Sequence, residues 1–170
     1  MNNGSHPSED LSATGVREPE VEIRPATHAD VPALVGGVVG LLEEIGGKPA
    51  PVEQLEEAAR ALIDDPRAGV VLVADCDGEI VGVLSVSWQS AIRIPGRYGV
   101  IQEMWVKRAF RYREIGADMV SALVELARAQ GIGRLEVGLP SDAYRGRVAT
   151  ESFYEMNRFT GIGLRMKRLL

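Results

Sequence analysis

Apolar and polar residues alternate at Val21-Glu22-Ile23-Arg24, which predicts a strand closed by Pro25. Val31, Leu34, Val35, Val38, Leu41, Leu42 and Ile45 then recur at helical spacing. This predicts an amphipathic helix over 31–45, with Asp30 as its N-cap and Pro32 in the first turn. Gly36, Gly37 and Gly40 fall on the opposite face in this reading, and each costs about 1 kcal/mol against Ala, so the helix should be soft. Gly46-Gly47 stops it, and Pro51 opens a second helix with Val52, Leu55, Ala59 and Leu62 on one face. A β-branched strand follows over 69–74, Asp77-Gly78 is a two-residue hairpin turn, and 80–88 is the returning strand. A loop containing Pro95-Gly96 leads to a strand over about 99–106. The loop 107–113 then enters a helix over about 114–130, with Ile115, Met119, Leu123 and Leu126 inward. A strand over 134–139, a helix over 142–156 and a last strand over 163–169 complete the chain. The order β-α-α-β-β-β-α-β-α-β predicts an α/β (α+β) fold: a mixed, mostly antiparallel sheet of six to seven strands with helices on both faces.

Residues 1–20 break this pattern. They are polar, rich in Ser, Asn, Gly and Pro, and read as a flexible tail before a single domain over 21–170. Composition narrows the function. The formal net charge of −5 gives no global basic footprint for nucleic acid or anionic lipid. Cys76 is the only cysteine, and His6 and His28 are widely spaced, so neither a disulfide framework nor a zinc site is expected. No apolar run approaches a membrane span and no secretion signal opens the chain, so a cytoplasmic location is expected. The nineteen glycines in 170 residues stand above the usual ~7% and ask where the backbone needs freedom.

Candidate chemistry concentrates in one strand–loop–helix stretch. Ile101 to Val106 run into Lys107, Arg108, Arg111 and Arg113, and then into a helix N-terminus at Glu114-Ile115-Gly116-Ala117. Free N–H groups and the positive dipole end make such a terminus an anion site, and the basic side chains add charge-assisted bonds to phosphate. A solvated basic loop is the equal alternative. No Gly-Lys-Ser/Thr follows, so this is not a nucleoside-triphosphate P-loop.

These residues carry a resemblance. Val106 to Ala117 is similar to the acetyl-CoA-binding motif of the GNAT N-acetyltransferase superfamily, Arg/Gln-x-x-Gly-x-Gly/Ala, with Arg111 at its first position and Gly116 near its end. Phe153-Tyr154 through Phe159 is similar to the family's Phe-Tyr-x-x-x-Gly-Phe, and Ile23-Arg24-Pro25-Ala26-Thr27 with Asp30 resembles its first strand and helix start. The resemblance covers about 21–170. It implies a GNAT-like fold, acetyl-CoA as co-substrate without a metal, and a small-molecule or peptide amine as acceptor. It further implies a homodimer as one assembly, and the first helix and the 89–98 loop as the shapers of the acceptor side. An acyl-CoA-binding module without transfer activity is the alternative.

Two positions depart from the motifs. Glu114 stands where the family has its first motif Gly. A positive φ there would strain Glu by roughly 1–2 kcal/mol. The milder expectation, an acidic residue in the first helical turn, is favoured. Arg158 replaces the Gly before Phe159, with Asn157 expected to take the left-handed conformation that ends the helix.

The resemblance also implies roles. An alkyl amine with pKa about 10.4 is almost wholly protonated at neutral pH, so the reaction needs a base. Glu103 is the candidate base, with an ordinary strand carboxylate as the alternative and Glu151 in reserve. Tyr154 is the candidate proton donor to the departing sulfur, with a buried aromatic as the alternative. The backbone of Met104 and Val106 would hold the thioester and pantetheine arm. Arg111, Tyr112, Arg113, Glu114, Ile115, Gly116 and Ala117 would bind the cofactor phosphates. Trp88 and Trp105 read as core before they read as pocket walls.

Overall fold

The structure, a computed structural model, describes residues 20–163 and 166–168. Among them, β1 (Val21–Pro25), β2 (Gly69–Cys76), β3 (Glu79–Ala91), β4 (Ile94–Val106) and β5 (Leu135–Val137) form one sheet in that order. The first four pair antiparallel and β5 pairs parallel to β4. The sheet therefore has five strands, not six to seven. The expected strand over 163–169 falls partly outside the described residues; those described there are not in a strand, and Gly163 turns away at φ +115°.

Helices cover both faces. α1 (Val31–Glu44) and α2 (Val52–Asp64) pack on Val71, Val73 and Val83 through Leu34, Ala59 and Leu62. α3 (Ile115–Ala129) and α4 (Arg147–Met156) pack on Leu72, Ala74, Leu84 and Val86 through Met119, Leu123 and Tyr154. Adjacent residues of β2 thus serve opposite cores, because strand side chains alternate faces.

The Asp77-Gly78 turn holds, with φ of +52° and +90° as a type I′ hairpin needs. Gly46 and Gly47 end α1 as expected, with Gly47 N–H donating to Leu42 O at 2.7 Å. Asp30 precedes α1 but does not cap it. Its carboxylate turns back to accept from Thr27 N–H at 2.7 Å and from both terminal nitrogens of Arg24 at 2.9 Å. Arg24 also donates to Asp75, tying β1 and β2 to the start of α1. The Arg24 guanidinium holds the Asp30 carboxyl well below the usual carboxylate range.

Three expectations are corrected. The Pro95-Gly96 loop is not a loop: β3 and β4 pair out to Ala91 and Ile94, and Pro95 and Gly96 are absorbed as an irregularity opposite Ser90 and Ala91. Gly96 permits this with φ +84°, and only Ile92 and Arg93 connect the strands. The expected helix over 142–156 begins only at Arg147, because 141–146 closes its own turns through Tyr144 N–H to Ser141 O and Arg147 N–H to Tyr144 O. The glycines of α1 do not share an outer face. Only Gly36 looks onto open space, whereas a Cβ on Gly37 would meet Val83 Cγ2 at 2.9 Å and one on Gly40 would meet Trp105 Nε1 at 3.3 Å. α1 is pressed closely onto the sheet at Gly37 and Gly40.

Candidate active site

The C-terminal half of β4 organises the site. β5 pairs with β4 only over Gly99, Val100 and Ile101, so beyond Ile101 no strand lies beside that edge of β4 among the described residues. Lys107 N–H donates to Val81 O at 2.8 Å, which fixes the phase of the β3–β4 ladder. By alternation, the main chains of Glu103 and Trp105 face β3, and those of Met104 and Val106 face the open edge. The two backbones singled out in the sequence are therefore the ones that turn into the gap.

A bulge at Gln102 shapes one wall. Ser85 pairs with Glu103 and Val86 with Ile101, leaving Gln102 extra. Ser85 and Ser87 share the α1 face of β3. Ser85 Oγ donates to Glu103 Oε2 and Gln102 Nε2 donates to Ser87 Oγ at 2.7 Å, so Gln102 and Glu103 both lie on that face although they are neighbours in sequence. Ser85 is buried and Glu103 half-buried. Ser85 was not legible as a partner, because the bulge sets the register that aligns it.

Tyr154 lies on the other face. It is buried between Phe153 and Phe159, with ring centroids 5.1 and 5.3 Å away, and its hydroxyl lies 3.5 Å from Met104 Sδ. Burial pushes its phenol up to about 12, so it stays protonated at neutral pH. Glu103 and Tyr154 thus flank the open edge of β4 from opposite sides. Glu151, one turn earlier on α4, is ion-paired to Arg147 at 2.8 Å.

The β4–α3 loop holds a short 3₁₀ turn, Arg108–Phe110, and then enters α3. Tyr112 and Glu114 both have φ +63°. Glu114 is the N-cap in left-handed conformation and makes no side-chain cap, so the expectation of an ordinary first-turn carboxylate is corrected. Its own carbonyl accepts from Asp118 N–H at 2.9 Å. Among the described residues no backbone carbonyl accepts from the N–H groups of Tyr112 to Ala117. This row of orphan donors fits the phosphates of a CoA-type ligand. Gly116 makes a different contribution: a Cβ there would meet Met104 Cε and Phe153 Cε2 at 3.2 Å, so it lets α3 close on the site. The basic residues have separate fates. Lys107 pairs with Glu79, and Arg113 lies 5.3 Å over the Phe110 ring. Arg111 donates to Val106 O at 2.8 Å and to Glu44 Oε1 at 2.6 Å. The Arg111 guanidinium holds the Glu44 carboxyl below its ordinary range. At the other departure, Arg158 has φ +67° and Asn157 does not take the left-handed turn, the reverse of the sequence expectation.

A cleft of about 650 Å³ opens beyond the end of α1. Glu44, Ile45 and Gly46 form one wall, Arg108 another, and Ser141 with Ala143, Tyr144, Arg145 and Gly146 the third. Tyr144 lies across Gly146, where a Cβ would come within 2.6 Å of the ring. Sequence reasoning missed this cleft because its three walls, at 44–46, 108 and 141–146, are far apart in the chain. Trp88 is core, as read, whereas Trp105 is half-buried and lies under Gly37 and Gly40. Cys76 is buried, and the exposed His28 pairs with Asp64 at 2.7 Å. Among the described residues no helix is long and apolar enough to cross a membrane, and no cluster of His, Cys, Asp or Glu is placed to hold a metal ion.

Comparison with known proteins gives the family and the fold. Residues 40–155 match the model of the acetyltransferase (GNAT) family, and the chain belongs to that family of acyltransferases. The fold is similar to that of a possible acetyltransferase from Clostridium difficile 630 (TM-score 0.75, 18% identity, 90% of this chain and 98% of that one). It is similar also to an aminoglycoside N-acetyltransferase in complex with CoA (TM-score 0.75, 12% identity, 91% and 97%). A third likeness is to glucosamine-6-phosphate N-acetyltransferase from Arabidopsis thaliana (TM-score 0.66, 19% identity, 88% and 98%). No curated protein matches in sequence.

Proposed function

We propose that this chain transfers an acetyl group from acetyl-CoA to a primary amine by direct attack. The observation that carries the reading is the open edge of β4. The backbones of Met104 and Val106 turn into it, Glu103 and Tyr154 flank it, and orphan N–H groups at the start of α3 lie at its end. Acetyl-CoA supplies an activated thioester carbonyl. The N–H groups over 112–117 hold its phosphates, and Met104 and Val106 hold the arm and the carbonyl oxygen. Arg111 is a positioning residue: anchored to Val106 and Glu44, it fixes the loop and leaves phosphate binding to the backbone.

The ammonium gives its first proton to solvent, and Glu103, oriented by Ser85, takes the second from the amine nitrogen as it bonds to the thioester carbon and becomes acidic, while the C–S bond breaks to release the thiolate. Tyr154 donates a hydrogen bond to the departing sulfur. Full proton transfer from a phenol at about 12 to a thiolate near 8.5 would be uphill by about 5 kcal/mol, so the stabilising element is the hydrogen bond. Tyr154→Phe should lower kcat by about 10²-fold with acetyl-CoA affinity nearly unchanged, the usual scale for a positioned proton donor. An unaltered kcat would remove Tyr154 from the chemistry. The second reading is a CoA-binding module without transfer. It rests on Glu114, whose carboxylate is carried beside the orphan N–H groups. Binding of acetyl-CoA with no transfer to any amine would establish it. The same reading places the protein in the cytoplasm, with the thiol of Cys76 buried and free.

A further inference from the structure

Resting on that reading, we infer that the cleft beyond α1 is an acceptor pocket for a small amine that also carries an anionic group, a carboxylate or a phosphate. The cleft is on the correct side. Its first wall is the end of α1, the helix that covers the sheet face bearing Glu103 and Trp105, while Tyr154 and the α3 terminus serve the other face. Its volume of about 650 Å³ suits a small molecule.

Charge then selects the ligand. Three charged side chains line the cleft: Glu44, Arg108 and Arg145. Glu44 is taken up by Arg111 at 2.6 Å and is also within the field of Arg108. Arg108 and Arg145 have no carboxylate or hydrogen-bond partner among the described residues. Asp142, three positions before Arg145, is exposed to solvent and lies 3.6 Å from Arg147 instead. Arg108 and Arg145 therefore bring two positive charges to the lining, only the first of them within the field of Glu44, and guanidinium groups favour bidentate binding of carboxylate or phosphate. A polyamine would meet both of them and find the only lining carboxylate already paired. The C-terminal end of α1 puts partial negative charge on the opposite wall, which suits the amine end of the same ligand.

The test measures acetyl transfer to matched amines: alanine against alaninamide, an aminosugar phosphate against the aminosugar, and spermidine as a polycation. Each anionic member should exceed its neutral partner in kcat/KM by at least about tenfold, the scale of one charge-assisted hydrogen bond. Arg145→Glu should collapse that ratio and Arg145→Lys should restore much of it. The acetyl-CoA Kd, measured by calorimetry, should stay unchanged in Arg145→Glu. Preference for the neutral amines or for spermidine would overturn the inference while leaving acetyl transfer intact. A Kd for acetyl-CoA weakened tenfold in Arg145→Glu would assign the arginines to the cofactor's phosphates and overturn it as well. Acetyl-CoA binding with no transfer to any amine would overturn the proposed function and this inference together.

Discussion

α1 and the β4–α3 loop use glycine in opposite ways. Gly37 and Gly40 sit in regular helix, where glycine is disfavoured, because α1 lies so close to the sheet that a Cβ would collide with Val83 at the first and press tightly on Trp105 at the second. Tyr112 and Glu114 sit at φ +63°, where glycine is favoured, and carry full side chains instead. In α1 glycine is a packing device. In the loop strain is accepted, and the backbone donors stay in place without it. The two regions are joined by one ion pair, Glu44 with Arg111, whose guanidinium also holds Val106 O. The close seat of α1 on Trp105 therefore fixes the loop proposed to bind acetyl-CoA.

The strongest way to break this comparison is Gly37→Leu. If α1 is pressed on the sheet, the added side chain should cost about 3 kcal/mol by overpacking, read as a lower urea midpoint. A change within half a kcal/mol would mean that α1 yields easily and is soft after all. Next is Glu44→Gln, which removes the link between the regions. It should cost about 1.5 kcal/mol, the scale of a hydrogen bond to a charged group, and weaken acetyl-CoA binding by loosening the loop. The sign with pH follows from the depressed Glu44 carboxyl. Its contribution is full above the unfolded value near about 4.3 and is lost as pH falls through the folded value. The stability gap between wild type and Glu44→Gln should therefore be complete at neutral pH and close in acid, as denaturation at a series of pH values would show.

Glu114→Gly sharpens the loop side. Relief of left-handed strain, less the extra chain entropy of glycine, should raise stability by about 0.5–1 kcal/mol. Calorimetry should find acetyl-CoA bound equally or more tightly, and clearly weaker binding would show that Glu114 helps hold the ligand. Arg158→Gly, at φ +67° but away from the loop, should gain similar stability without affecting affinity. The smallest effect is expected from Gly36→Ala, where nothing lies within 4 Å of the new Cβ. A gain of about 0.5 kcal/mol in thermal stability would show that the glycines of α1 are not equivalent.

Much of this molecule follows from local pattern. Alternation and helical spacing placed β1 to β4 and α1 to α3 because periodic burial is written directly in the chain. Asp77-Gly78 declared its turn by chemistry alone. The strand–loop–helix around Val106 to Ala117 marked the site because a basic loop entering a helix is a local arrangement. Two of the misses share a cause. The registers of β3 against β4 decided that Pro95-Gly96 is absorbed into pairing and that Gln102 bulges to bring Ser85 onto Glu103, and register is a property of two strands together. Likewise, the contact of Gly37 and Gly40 with Trp105 joins residues some 65 positions apart. The sequence alone therefore determined most of the elements, their order and a candidate stretch for the chemistry. Only the tertiary structure decided which side of β4 is open, that Arg111 is tethered to Glu44, and that Arg108 and Arg145 line one cleft. Each of these depends on side chains distant in sequence, whose meeting is set by packing and not by any local propensity.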